Sequence, residues 1–240
     1  MQGMESPFRF KQFEICQDRC AMKVGTDGVL LGAWTPVDTE PASILDIGTG
    51  TGLIALMLAQ RTMADTIDAV EIDGDAFEQC VENFEASPWS DRLFCYHAGL
   101  DEMVEECDAS YDLIVSNPPF HSETVTSGSE SRDRARQNIA LPFSELIHGV
   151  EMLLADEGVF ATIIPFHTET SFRQMAREAG LNLFKATRVK GTPKSPIKRS
   201  LLAFSRREQE VQEDQLTIEK RRHEYTKDYK ALCRDFYLKM

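Results

Sequence analysis

With 240 residues, of which 42% are hydrophobic and 27% charged, the chain has the length and composition of one globular domain, and a disordered, collagenous or low-complexity polymer is excluded. No stretch approaches the ~18 consecutive apolar residues of a membrane helix, and the first residues lack the apolar segment of a signal peptide, so a cytoplasmic protein with no membrane partner is predicted. The net charge of −13 by itself argues against a nucleic-acid partner. Its distribution argues otherwise: from Ala179 to Arg207 there is no acid, while Lys185, Arg188, Lys190, Lys194, Lys198, Arg199, Arg206 and Arg207 are all basic. That run is either a solubilising surface or a patch for an anionic partner.

Six scattered cysteines in a chain this long are the usage of reduced thiols, and Cys16-x3-Cys20 lacks a second pair of ligands, so no metal site is expected. The oligomeric state is open, with a monomer as the working expectation.

In chain order, residues 1–25 show no clear periodicity and form an N-terminal extension. Thr26-Asp27-Gly28-Val29-Leu30-Leu31-Gly32-Ala33-Trp34 predicts a short helix capped by Thr26 or Asp27 and stopped before Pro36. Ser43–Ile47 then predicts a strand, followed by a glycine turn and a buried helix from Leu53 to Ala59. Further strands are predicted at Thr66–Ile72, Leu93–His97, Tyr111–Ser116, Val159–Pro165, Leu183–Lys190 and Ser200–Ser205, with helices at Asp75–Glu85, Phe143–Leu154 and Ser171–Ala179. The stretch from Lys190 to Arg199, holding Pro193 and Pro196, is expected to be a loop that orders on binding.

Alternation of strands and helices predicts an α/β fold: a doubly wound, mostly parallel, Rossmann-like sheet of about seven strands. Residues 26–207 form the core, and 208–240 a final strand and helix that dock back on it. Ligands of such sheets sit beyond the carboxyl ends of the strands, so the loops after Ile47, Ile72, His97 and Ser116 should surround one site.

Two motifs carry chemistry. The loop Asp46-Ile47-Gly48-Thr49-Gly50-Thr51-Gly52 removes side chains where a cofactor backbone must come close; its G-x-G-x-G spacing differs from the G-x-G-x-x-G of dinucleotide binders. About twenty residues on, Glu71 and Asp73 offer carboxylates that could accept hydrogen bonds from a ribose diol. The second motif is Asn117-Pro118-Pro119-Phe120. Its prolines stiffen the loop, the Asn117 amide oxygen and the Pro118 carbonyl offer two acceptors to one planar NH2 group, and Phe120 offers a face for a flat ring. Each motif also has a plain structural reading, as a tight turn with an acidic helix start or as a proline corner with an aromatic plug.

Together the two motifs resemble those of the class I S-adenosylmethionine-dependent methyltransferases that modify amino nitrogens. More specifically, Phe10-Lys11-Gln12-Phe13, Asp18–Gly28, Leu30–Trp34, Ser87-Pro88-Trp89, Leu201–Ser205 and Phe236-Tyr237-Leu238 are similar to the tRNA (adenine-N6) methyltransferases that act on valine tRNA at adenosine 37, beside the anticodon. The resemblance implies S-adenosyl-L-methionine as cofactor and tRNA as partner. It implies that Asp46, Gly48, Thr49, Gly50 and Gly52 lie under the methionine part, closed by Lys23, Thr26 and Asp27. Glu71, with Asp73, holds the ribose, and Asn117, Pro118, Pro119 and Phe120 hold the target base. Where many relatives carry an acid after the third core strand, this chain has Gly99, and Asp101 is the substitute candidate for the adenine contact.

The RNA is expected to meet Lys190, Lys194, Lys198 and Arg199, together with Arg132, Arg134 and Arg136 behind the second motif; these three arginines could equally be an exposed helix face. No histidine is assigned as a base. An RNA guanine-N2 methyltransferase and a protein-glutamine N5 methyltransferase fit the same amine chemistry, and a noncatalytic RNA-binding protein would be expected to lose the Asn-Pro-Pro acceptors.

Overall fold

The computed structural model describes residues 6–107, 109–119 and 141–240. The chain opens with a small hairpin, β1 (Phe8–Arg9) and β2 (Glu14–Ile15), and then alternates. In order come α1 (Thr26–Trp34), β3 (Ser43–Ile47), α2 (Leu53–Arg61), β4 (Thr66–Glu71), α3 (Gly74–Glu85), β5 (Leu93–His97), α4 (Leu100–Glu106) and β6 (Tyr111–Ser116). After these lie α5 (Phe143–Leu153), β7 (Leu154–Pro165), α6 (Glu169–Glu178), β8 (Asn182–Lys190), β9 (Ile197–Ser205), β10 (Gln212–Thr217), the short β11 (Glu219–Arg221) and β12 (Glu224–Tyr225), and α7 (Lys227–Cys233).

One eight-stranded sheet runs β10-β8-β9-β7-β6-β3-β4-β5. Only β9 is antiparallel to its neighbours, β7 and β8. The expected count of about seven becomes eight because β10, rich in Gln, Glu and Asp, pairs in parallel with β8; an edge strand needs only one buried side, and Leu216 supplies it.

Strand alternation divides the core into two layers. Ile44, Ile67, Leu113, Val115, Ala161 and Leu201 face α1, α2, α3 and α7, whereas Leu45, Val70, Ile114, Phe160, Leu202 and Phe204 face α4, α5 and α6. Helix α2 is buried from Leu53 to Ala59 because it is covered by the sheet on one side and α1 on the other. A Cβ on Gly32 of α1 would sit 2.7 Å from Met57 Sδ, so glycine there permits this close helix contact.

Several expectations are corrected. The N-cap of α1 is Gly25, with no side-chain cap, so neither Thr26 nor Asp27 caps it; the Asp27 carboxylate is drawn instead to Arg199 at 2.7 Å. Lys190–Arg199 is no long loop: β8 runs to Lys190, β9 begins at Ile197, and the turn between is closed by Thr192 N donating to Ser195 Oγ at 2.8 Å. Strand β7 begins at Leu154, directly after α5, and the short helix α4 lacked a periodic signal.

The basic run is also not one patch. On a strand, consecutive side chains point to opposite faces. Lys185 lies over the Trp34 ring at 4.6 Å, and Arg188 bonds Glu169 and Glu213. Arg206 donates to the carbonyls of Glu151 and Leu154, and Arg207 pairs with Glu157. These four cations serve internal contacts, which leaves Lys190, Lys194 and Lys198 around the hairpin with no ion pair among the described residues.

Candidate functional site

The glycine loop joins β3 to α2 with φ of +68° at Gly48, +58° at Gly50 and +79° at Gly52, conformations that favour glycine. Gly48 N and Thr49 N donate to the Val70 carbonyl, fixing the loop against β4. Nothing lies within 4 Å of a Cβ placed on Gly48 or Gly50, whereas one on Gly52 would meet Phe84 Cε1 at 2.6 Å. The first two glycines thus leave open space at the sheet edge, and the third lets α2 pack on α3.

Asp46 lies fully buried beneath the loop. Its Oδ2 accepts from Thr49 Oγ1 at 2.6 Å and Ala55 N at 3.2 Å, while Oδ1 has no partner among the described residues. Burial pushes its pKa up to about 7, against the pull of the two hydrogen bonds. Glu71, at the end of β4, binds Gly50 N through Oε2 at 2.8 Å and Asp73 N through Oε1 at 2.9 Å, which clamps the loop to the start of α3. The Asp73 side chain is the N-cap of α3, accepting from Ala76 N at 2.9 Å. Asp101 is exposed in the first turn of α4, and a Cβ on Gly99 would lie 2.4 Å from its Oδ1, so glycine at 99 leaves room for that carboxylate.

The N-terminal segment is fastened over this corner. Asn83 of α3 accepts from Cys16 N at 2.8 Å and donates to the carbonyls of Cys16 at 3.0 Å and Thr51 at 2.9 Å, and Gln79 accepts from Arg19 N at 2.9 Å. Cys20 sits close enough to Glu71 and Asp73 that burial, reinforced by their charges, pushes its thiol up to about 12. All six cysteines are free thiols.

A cavity of about 1030 Å³ opens at the carboxyl edge of the sheet. Lys23, Thr26 and Asp27 line one end, Gly48, Thr49 and Gly50 its floor, and Asn117, Pro118 and Pro119 the wall after β6. Lys198 and Arg199 also line the cavity, Arg199 beside the Asp27 carboxylate that it bonds at 2.7 Å. Asp46, Gly52 and Glu71 lie behind the loop; Asp73, Asp101, Lys190 and Lys194 are outside the cavity wall. Phe120, Arg132, Arg134 and Arg136 fall outside the described residues.

Sequence reasoning missed Phe166, His167 and Thr168, which form a 3-10 turn after β7, and Leu141 and Phe143 at the start of α5. The signal was available for the turn: it follows the carboxyl end of a parallel strand, the same position that marked the other loops. Among the described residues no three His, Cys, Asp or Glu side chains are grouped as metal ligands, and no helix is long and apolar enough to cross a membrane.

Residues 29–139 match the family model described as "Methyltransferase small domain". The fold is similar to that of a protein described as a predicted O-methyltransferase from Agrobacterium tumefaciens, with a TM-score of 0.69 at 16% identity over 88% of this chain and 96% of that one. It is also similar to Pyrococcus horikoshii TYW2, solved in complex with MeSAdo, with a TM-score of 0.54 at 15% identity over 81% and 68% of the two chains. Sheet order, glycine loop and edge cavity together define a class I methyltransferase. Across 97% of its length the chain is 61% identical to the whole of the tRNA1(Val) (adenine(37)-N6)-methyltransferase of Flavobacterium johnsoniae. At that likeness the chain belongs to the tRNA1(Val) (adenine(37)-N6)-methyltransferase family.

Proposed function

We propose that this protein transfers a methyl group from S-adenosyl-L-methionine to the N6 nitrogen of adenosine 37 of valine tRNA, a cytoplasmic substrate. One observation carries the reading: in a chain 61% identical to an enzyme named for that reaction, the glycine loop and Asn117-Pro118-Pro119 line one cavity.

The residues fit the cofactor. Open space beside Gly48 and Gly50 is the cradle a Cβ would fill, and Asp46 beneath holds the loop through Thr49 and Ala55. Gly48, Thr49 and Gly50 would hold its methionine part, backed by Asp46 and Gly52, with Lys23, Thr26 and Asp27 closing that end. Glu71 would meet the ribose, with Asp73 beside it, and Asp101 the adenine. When bound, S-adenosyl-L-methionine supplies an electrophilic methyl group on a sulfonium.

The chain's own groups prepare the acceptor. An adenine amine is a weak nucleophile because its lone pair is delocalised into the ring. Accepting its two N–H groups at the Asn117 amide oxygen and the Pro118 carbonyl favours a pyramidal nitrogen with the lone pair freed, and Pro119 keeps these acceptors from relaxing. Such chemistry requires the base to leave its stack. The methylated nitrogen is acidic, so its proton passes along the Pro118 carbonyl to water and no histidine base is required.

The test is incubation with labelled S-adenosyl-L-methionine and tRNA made without this enzyme, followed by nucleoside analysis. Label is expected in N6-methyladenosine; label in N2-methylguanosine would replace the base, and label only in a co-incubated protein would end the RNA reading. Asn117→Ala should lower transfer roughly a hundredfold or more while the Kd for the cofactor, by titration calorimetry, changes less than about twofold.

A further inference from the structure

The cavity is lined by more residues than the methyl transfer requires. At about 1030 Å³ it lies at the top of the roughly 300–1000 Å³ that single small-molecule sites occupy. It is lined as well by Phe166 and His167, on the turn after β7, and by Ile197 and Lys198 at the start of β9.

Phe166 is an anomaly there. Most phenylalanines on this side of the sheet are packed: Phe143 meets Phe172 edge-on at 4.9 Å, and Phe160 stacks on Phe204 at 5.9 Å. Phe166 is 37% exposed, and no ring among the described residues packs on it. The open part of its surface borders the cavity. Yet it is held on a stiff frame. Pro165 precedes it with φ of −59°, and Thr168 Oγ1 returns to the Pro165 carbonyl at 2.8 Å. The following Glu169 is buried and bonded to Arg188 at 2.8 Å and Ser200 at 2.6 Å, and these charged and hydroxyl partners pull its pKa below the usual carboxylate range against burial.

The register supplies the second half. Strands β7 and β9 are antiparallel and their pairing ends with Pro165 opposite Arg199; Phe166, which begins the 3-10 turn there, and Lys198, next to Arg199 on β9, both line the cavity. Lys198 is exposed and has no ion pair among the described residues. A fixed aromatic face beside one cation is what a nucleotide of single-stranded RNA needs: a surface for the base and a charge for its phosphate.

We propose that Phe166 is a substrate-binding residue on which one base of the anticodon loop stacks, with Lys198 meeting the adjoining phosphate. This rests on the reading of the site as one for RNA. It adds a specificity element outside the Asn117–Pro119 wall, because a stacking face selects for an unstacked, splayed loop over a helix.

The test uses the full-length protein and an anticodon stem-loop carrying the fluorescent base 2-aminopurine either at position 37 or at the nucleotide 3′ of it. Binding is expected to quench one of these probes. Phe166→Leu, which keeps apolar volume and removes the ring, should abolish that quenching and weaken RNA binding roughly tenfold to a hundredfold, and Phe166→Tyr should restore both. The Kd for S-adenosyl-L-methionine should be the same in all three proteins. Quenching at position 37 assigns the stacked base as the target, and quenching at the next position assigns it as the neighbour. Equal RNA affinity and equal quenching in Phe166→Leu overturn the proposal, as does loss of cofactor binding in that variant, which would make the ring structural. Because the titration requires no turnover, a wild-type protein that binds the stem-loop but leaves N6 unmethylated would count against the reaction proposed above and not against this subsite.

Discussion

Asp46 shows how one residue can be tuned against the protein's own stability. Its carboxyl is buried and half-satisfied, and in the folded protein it keeps its proton up to about pH 7, against about 3.9 for a free aspartate. Between those values the folded state holds more protons than the unfolded one, so the contribution of Asp46 to stability falls as pH rises through that window and is fully lost above it. Wild type should therefore lose stability relative to Asp46→Asn between pH 4 and pH 8, by on the order of 1–4 kcal/mol, in urea unfolding. A constant offset from the amide cancels in that comparison, and parallel curves would show that Asp46 is ionised throughout. Glu71 is the contrasting case: also buried, at 7% exposure, it has both oxygens engaged by backbone N–H groups. Its motif was legible in the sequence as a strand-end acid, but its role as a clamp between two turns was not, since that depends on where Gly50 N falls in space.

At the scale of elements, α3 joins the N-terminal segment to the glycine loop through the single amide of Asn83. Removing it strands the buried Thr51 carbonyl, worth about 1–3 kcal/mol when unsatisfied, and leaves the part-buried backbone groups of Cys16 without their partner. Asn83→Ala should lower stability by roughly 2–4 kcal/mol. It should also weaken cofactor binding several-fold in calorimetry, since residues 16–24 lead directly to Lys23 and Thr26 at the cavity; an unchanged cofactor Kd would separate that segment from the site. The core strands and α2 could be read from apolar runs because they are buried on both sides. The N-terminal segment could not, because its order comes from Asn83 and Gln79, partners some sixty residues away. The hairpin after β8 was misread for a related reason: its prolines and glycine mark a turn, and turn residues alone do not fix how far the flanking strands extend.

Across the whole molecule, an acidic body of net charge −13 must bind a polyanion through few cations. Lys190 and Lys194 lie on the β8–β9 hairpin, outside the cavity wall. Converting both to alanine should weaken tRNA binding at low salt and reduce the slope of log Kd against log salt by about 1–2. Retention of the full slope would reassign those lysines to solubility. The N-terminal and C-terminal segments are clasped together: Phe10 bridges to Tyr237, and Lys11 N donates to the Phe236 carbonyl at 2.8 Å. That clasp buries Phe10, Phe13 and Phe236 in the same layer as α1 and α2, so the segments before and after the sheet share its core.

The sequence by itself determined the α/β alternation, the glycine loop with its partner acid, and the stiff Asn-Pro-Pro loop after β6, because each is written in local spacing: apolar period, positive-φ glycine and proline-fixed backbone. Tertiary structure decided the rest. It spread Lys185, Arg188, Arg206 and Arg207 over opposite faces, sent Asp27 to Arg199 in place of a helix cap, added β10 to the sheet edge, and brought Phe166 and Lys198 to one cavity wall. Those outcomes follow from strand pairing and burial, where a side chain's task is set by the partner it meets across the fold and not by its neighbours along the chain.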